Sequence, residues 1–144
     1  MRISDVLRGK GTQVVTITPD TTVRDLLAVL AEHRIGAVVV SRDGIAVDGI
    51  ASERDIVQAL ARRGAVVMSE PVTAIYTAGV HTVTPQTPIE EVMRMMTERR
   101  VRHVPVVVDG SLRGIVSIGD VVKIRIDELE TERTALTDYI TGTR

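Results

Sequence analysis

Gly49-Ile50-Ala51-Ser52-Glu53-Arg54-Asp55 and Gly114-Ile115-Val116-Ser117-Ile118-Gly119-Asp120 spell one pattern twice, Gly-Ile-x-Ser-x-x-Asp. Working outward from this pair, a shift of 66 positions lays Thr16, Thr18, Pro19 and Thr21 on Thr82, Thr84, Pro85 and Thr87, so the repeat reaches well upstream. Apolar character survives the shift. Val23, Leu26, Leu27 and Leu30 fall on Ile89, Val92, Met93 and Met96, while Ile35, Val38 and Val40 fall on Val101, Val104 and Val106. The two copies differ by one residue in the turn after Gly44 and Gly110. Two repeats are too few for a solenoid, so a pair related by a pseudo-twofold axis is the simplest way for each to bury one face.

Each copy reads as strand, helix, strand, turn, strand, helix. The spacing i, i+3, i+4, i+7 of Val23, Leu26, Leu27 and Leu30 makes an apolar helical stripe, and Thr87-Pro88 with Glu90 reads as a capped helix start in the second copy. Ala37–Val40 and Val104–Val108 have the β-branched, unbroken character of buried strands. Pro105 implies a lost donor that faces an edge or a ligand. Asp43-Gly44 and Asp109-Gly110 supply the turns, and Val72–Tyr76 resembles Ile3–Leu7, so each unit is expected to begin with a short lead-in helix. The last helix does not stop with the repeat. Val122, Ile126, Leu129, Leu136 and Ile140 continue a nearly heptad stripe, with Arg133 at the one position where an apolar residue is missing. The expected fold is α+β: two β-α-β-β-α units with small three-stranded sheets packed against helices, plus an extended C-terminal helix. The boundaries are 1–66, 67–127 and 128–144.

Composition narrows the function. The 144 residues are 44% apolar and 26% charged, an ordinary globular balance, with a net charge of -1 that provides no general field for a polyanion. Two Tyr, no Phe and no Trp leave no stacking platform for successive bases. Nucleic acid is thus not an expected partner. No cysteine means no disulfide or thiolate chemistry, and no apolar run approaches the length of about 18 residues that a membrane span needs. The expected location is cytoplasmic, without membrane contact.

The repeated Ser-x-x-Asp lies where a strand runs into a helix, and it admits two compatible readings. In one it is a capping element, the Ser and the acid satisfying orphan backbone donors at the helix start. In the other the same helix start offers amide donors and its positive dipole end to a phosphate, while the carboxylate accepts from two vicinal ribose hydroxyls. Arg54 would add a counter-charge, whereas Gly119 leaves the second copy without one.

From about residue 2 to 126 the chain resembles a pair of cystathionine beta-synthase (CBS) type domains. The resemblance rests on the helix followed by Ile35-Gly36-Ala37-Val38-Val39-Val40 and by Val101-Arg102-His103-Val104-Pro105-Val106, then on both Gly-Ile-x-Ser-x-x-Asp elements. It implies a non-catalytic regulatory module whose two units form a cleft for an adenine nucleotide such as AMP, ADP or ATP, with no covalent cofactor. By resemblance Asp55 and Asp120 hold ribose, and Ser52, Ser117 and Arg54 approach phosphate. The backbones of Ile35, Gly36, Ala37, Val101, Arg102 and His103 border the base, together with Thr16, Thr18, Thr82 and Thr84. The two sites are not expected to be equivalent, because Gly36-Ala37 in one copy stands against Arg102-His103 in the other; His103 would bring sensitivity to pH near neutrality.

Other constellations read as structural. Gly9-Lys10-Gly11-Thr12 lacks the leading glycine of a phosphate loop and is read as a turn, and Arg62-Arg63 and Arg99-Arg100 as solvated helix-end charges. His33, His81 and His103 lack metal-ligand spacing, so no metal is expected. The output is expected in an effector protein or in assembly, with the tail stripe pointing to a homodimer; an oligomerisation scaffold that binds no ligand is the alternative.

Overall fold

The computed structural model describes residues 1–11 and 13–142; of the expected Gly9–Thr12 turn, Gly9 and Lys10 instead end the first helix, and Thr12 lies outside the described residues. The first unit contains β1 (Thr16–Ile17), α2 (Val23–His33), β2 (Ala37–Val40), β3 (Gly49–Ser52) and α3 (Glu53–Arg63), preceded by α1 (Ile3–Lys10). Two 3-10 turns, Gly64–Ser69 and Val72–Ala74, then lead through β4 (Thr77–Ala78) to α4 (Ile89–Arg99), β5 (His103–Val108), β6 (Ser111–Ser117) and α5 (Ile118–Thr141). The architecture is the expected α+β pair with its long final helix.

The sheets are less alike than the repeat suggests. The first has four strands in the order β1-β2-β3-β4, whereas the second has only the β5-β6 hairpin. Where the second copy should have its first strand, Val83 makes one parallel bridge to Val106, its amide donating to Pro105 O at 3.0 Å. The carbonyl and nitrogen of a strand residue point the same way, so the donor missing at Pro105 faces this edge rather than β6.

Two separate apolar cores follow, and the lead-in segments cross between them. Ile3, Val6 and Leu7 of α1 pack with Ile89, Val92, Met96, Val104, Val106 and Val121, in the second unit. Val67 and Val72, which precede the second copy, pack instead with Val23, Leu26, Leu30, Val38 and Val40 in the first. Each half thus closes the other. The bridges agree, Arg2 to Pro88 and Pro71 to Thr22, and Leu7 lies over Gly114 as Tyr76 lies over Gly49. Val38, Val39 and Val40 are fully buried, each contributing about 1.5–3 kcal/mol by leaving water, which is how a chain without Phe or Trp fills its core.

Helix starts show one departure from expectation. Thr22 caps α2, its hydroxyl accepting from the Asp25 amide at 3.1 Å, but Thr87 does not cap α4. That hydroxyl accepts from Thr84 N at 3.1 Å, and Pro88 occupies the cap position without a side-chain bond. At the other end, α2 and α4 stop alike, with Arg34 and Arg100 in the left-handed region at φ 55 and 53. In α5 Glu128 accepts from the Met1 ammonium at 3.0 Å and pairs with Arg125, and Val121 is the one buried residue. The helix is 24 residues, about 36 Å, long; Ile124 also packs against the second core, while Val122, Ile126, Leu129, Leu136 and Ile140 are exposed.

Candidate functional site

The first Ser-x-x-Asp junction is built by β3 ending on Ser52 and α3 starting on Glu53. Asp55 Oδ2 accepts from the Ser52 amide and hydroxyl, both at 2.9 Å, and the Asp55 amide donates back to Ser52 Oγ at 3.3 Å. The capping reading is therefore realised. Glu53 N donates to Gly36 O at 2.9 Å, so of the first-turn amides only that of Arg54 is left outside these contacts.

What makes the junction more than a cap is the surface opposite it. The left-handed turn at Arg100 ends α4 and swings Val101, Arg102 and His103 across from the second unit, enclosing a cleft of about 400 Å³. Gly36, Ser52, Arg54 and Asp55 line it from the first unit and Arg99 to His103 from the second, and Thr77 and Val80 also belong to the lining. Arg54 spans the cleft to donate to Arg100 O at 3.0 Å, tying the two units together. Four arginines, Arg54, Arg99, Arg100 and Arg102, are among the lining residues against two acidic ones, Glu53 and Asp55; all four are exposed, and the Arg99 guanidinium donates to His81 Nε2 at 2.6 Å. A phosphate is the complementary charge.

His103 lies beside Gly36, where an added Cβ would meet its Cε1 at 3.4 Å. Burial pushes its imidazole below the usual histidine value, helped by Lys10 and Arg102 and opposed by Asp120 and Glu53. A phosphate in the cleft opposes that depression and favours the protonated ring.

The expected site residues divide into groups. Gly36, Ser52, Arg54, Asp55, Val101, Arg102 and His103 come together in the one cleft. Ile35 packs against the first core, and Ala37 is buried in β2 opposite Ser52. Thr16, Thr18, Thr82 and Thr84 do not line the cleft: Thr18 bonds Asp20 and Thr21, and Thr84 bonds Thr87, each holding the turn before a helix. Ser117, Gly119 and Asp120 form the second junction outside it. There Asp120 repeats the cap, its Oδ2 accepting from Ser117 N at 2.8 Å and its backbone amide donating to Ser117 Oγ at 3.1 Å. Its Oδ2 also accepts from Lys10 Nζ at 2.6 Å.

Arg99 and Arg100 are exposed at the end of α4, as read from the sequence, and both also belong to the lining of the cleft. Their place directly before Val101 was the available signal. Nothing in the local sequence marks Lys10, whose position depends on α1 crossing into the second unit. Among the described residues no group of three or more His, Cys, Asp or Glu is placed to hold a metal, and no helix is long and apolar enough to cross a membrane.

A family model for the CBS domain matches residues 3–62 and again 66–127. The chain belongs to the CBS-domain family, as a tandem pair. It is 38% identical over 148 residues to a mitochondrial CBS domain-containing protein of Arabidopsis thaliana, covering 97% of this chain and 72% of that one. A crystal structure of a CBS-domain protein from Agrobacterium tumefaciens is similar at 43% identity with a TM-score of 0.84, over 87% of this chain and 99% of the other. A CBS domain protein of Pyrobaculum aerophilum, whose structure was solved complexed with AMP, is 31% identical with a TM-score of 0.74, over 83% of this chain and 89% of that chain.

Proposed function

We propose that the chain is a regulatory module that binds an adenine nucleotide in the cleft between Asp55 and Val101–His103. The observation that carries this is the pairing of a helix-start carboxylate, Asp55, with four arginines among the lining residues of one cleft, a sugar acceptor beside a surplus of positive charge. Ribose hydroxyls donate to Asp55, the base lies along Gly36 and the Val101–His103 backbone, and phosphate takes Arg54 and Arg102. The AMP complex of the Pyrobaculum relative supports the ligand class. In this reading phosphate competes for Arg54, releases its bond to Arg100 O, and so alters how the two units are held. A partner protein, or the assembly of the chain itself, reads that change.

AMP, ADP and ATP, each titrated against the purified protein, test this through its melting temperature. A ligand at about 100 times its Kd stabilises by about 2.7 kcal/mol, which for a chain of this length raises Tm by roughly 5–10 °C. An unchanged Tm with all three up to millimolar concentration would leave the ligand-free scaffold as the better reading.

The exposed stripe of α5 favours assembly in either case. Val122, Ile126 and Leu129 are each more than 40% exposed, with Leu136, Tyr139 and Ile140 beyond them. A second copy covering these residues makes a homodimer, and light scattering at micromolar concentration should return twice 15.7 kDa. The monomer mass would refute it.

A further inference from the structure

The two junctions share a cap but not a neighbour. At the second, Lys10 Nζ donates to Asp120 Oδ2 at 2.6 Å and to Ile115 O at 2.9 Å, so the ammonium is held from both the helix start and the end of β6. Ser117 N donates to the same Oδ2 at 2.8 Å. Asp120 Oδ2 therefore has two donors, as Asp55 Oδ2 has, but one of them is a lysine ammonium from α1 rather than a group of the cap itself. Burial alone would raise the Asp120 carboxyl, yet Lys10 and Ser117 outweigh it and hold it below the usual aspartate range.

The cause lies in the crossing of the lead-ins. Leu7 packs over Gly114, which carries the end of α1 past β6 and delivers Lys10 to Asp120. Aligning Val72–Tyr76 on Ile3–Leu7 puts Gly79 in the first junction where Lys10 stands in the second. Gly79 has no side chain to reach Asp55, and its positive φ of 62 suits glycine. Ser52 N and Oγ, both from its own cap, are the donors on Asp55, and among the described residues no salt bridge reaches it.

We propose that Lys10 closes the second junction and is the residue that decides which of the two accepts ligand, so that the chain takes one nucleotide rather than two. This rests on the reading of the first cleft as a nucleotide site. A ribose diol arriving at Asp120 must displace a charge-assisted bond, a penalty of about tenfold to a hundredfold in affinity. Gly119 in place of Arg54 offers no cation in exchange.

Calorimetric titration with AMP, counted per chain, tests the assignment. Wild type is expected to bind one AMP, Lys10→Ala two, and the Lys10→Ala, Asp120→Ala double variant one again. Lys10 is half-exposed, so its removal should leave the melting curve of the unliganded protein nearly unchanged, which checks that the variant is folded. A Lys10→Ala count no higher than that of wild type overturns the proposal, and a lower count would make Lys10 a ligand-binding group instead. The wild-type count tests the cleft separately: if it is zero the nucleotide reading fails, while a gain on Lys10→Ala that needs Asp120 would still establish the closure.

Discussion

Asp55→Ala is expected to weaken nucleotide binding by about a hundredfold or more while the protein remains folded. Two ribose hydroxyls donating to a carboxylate are charge-assisted bonds, each contributing roughly 1.5–3 kcal/mol, and alanine replaces neither. The same change removes a cap, since Asp55 Oδ2 accepts from Ser52 N and Oγ, so the unliganded protein should lose about 1 kcal/mol. The two effects separate cleanly. Calorimetry gives the affinity, and denaturant unfolding without ligand gives the cap. Asp120→Ala removes the equivalent cap but should leave wild-type affinity, because that residue lies outside the cleft and is paired with Lys10. Equal losses from the two substitutions would show that the cleft around Asp55 is not the preferred site.

Gly49→Ala should be the most destabilising single methyl in the first unit. A Cβ there would lie 2.4 Å from Tyr76 Cδ2 and 2.5 Å from Thr77 O, and Thr77 is tied to Ile50 in the β3-β4 ladder. The side chain can turn away; the carbonyl cannot move without pulling β4 from the sheet. Overpacking of this kind costs about 2–3 kcal/mol, or a fall in Tm of roughly 5–10 °C. Gly114→Ala is the internal control. Its Cβ would meet only Leu7 Cδ2 inside 3 Å, the far end of a flexible side chain, so its loss should be about half as large or less. Because Thr77 belongs to the lining of the cleft, Gly49→Ala should also weaken nucleotide binding, which Gly114→Ala should not. Equal melting temperatures for the two variants would contradict this account of the exchanged lead-ins.

The duplication was legible because it is written in residue types whose physics is local. A helical stripe at i, i+3, i+4 and i+7, β-branched runs and a Ser-x-x-Asp cap each declare an element without reference to the rest of the chain. The α+β pair and the Ser52-Arg54-Asp55 junction follow from them, whereas the placing of Val101, Arg102 and His103 opposite that junction was implied by the resemblance to CBS domains. What stayed hidden depends on which partner a segment meets. The resemblance of Val72–Tyr76 to Ile3–Leu7 marked two equivalent lead-ins, but either could have packed on its own half. Only the contacts of Ile3 and Leu7 with Ile89 and Gly114, and of Val72 with Val23, show the exchange. Lys10 was unreadable for the same reason, and the Gly9–Thr12 stretch could be read only as a turn. Thr87 misled for a smaller one: two hydroxyls stand near that turn, and its own pairs with Thr84 rather than with α4.

The most direct measurement is a crystal structure grown with AMP at saturating concentration. The account predicts ribose with its two hydroxyls on Asp55, the base along Gly36 and Val101–His103, and phosphate among Arg54 and Arg102, with Arg54 released from Arg100 O. AMP bound at Asp120 with Lys10 displaced and the cleft at Asp55 empty would contradict it.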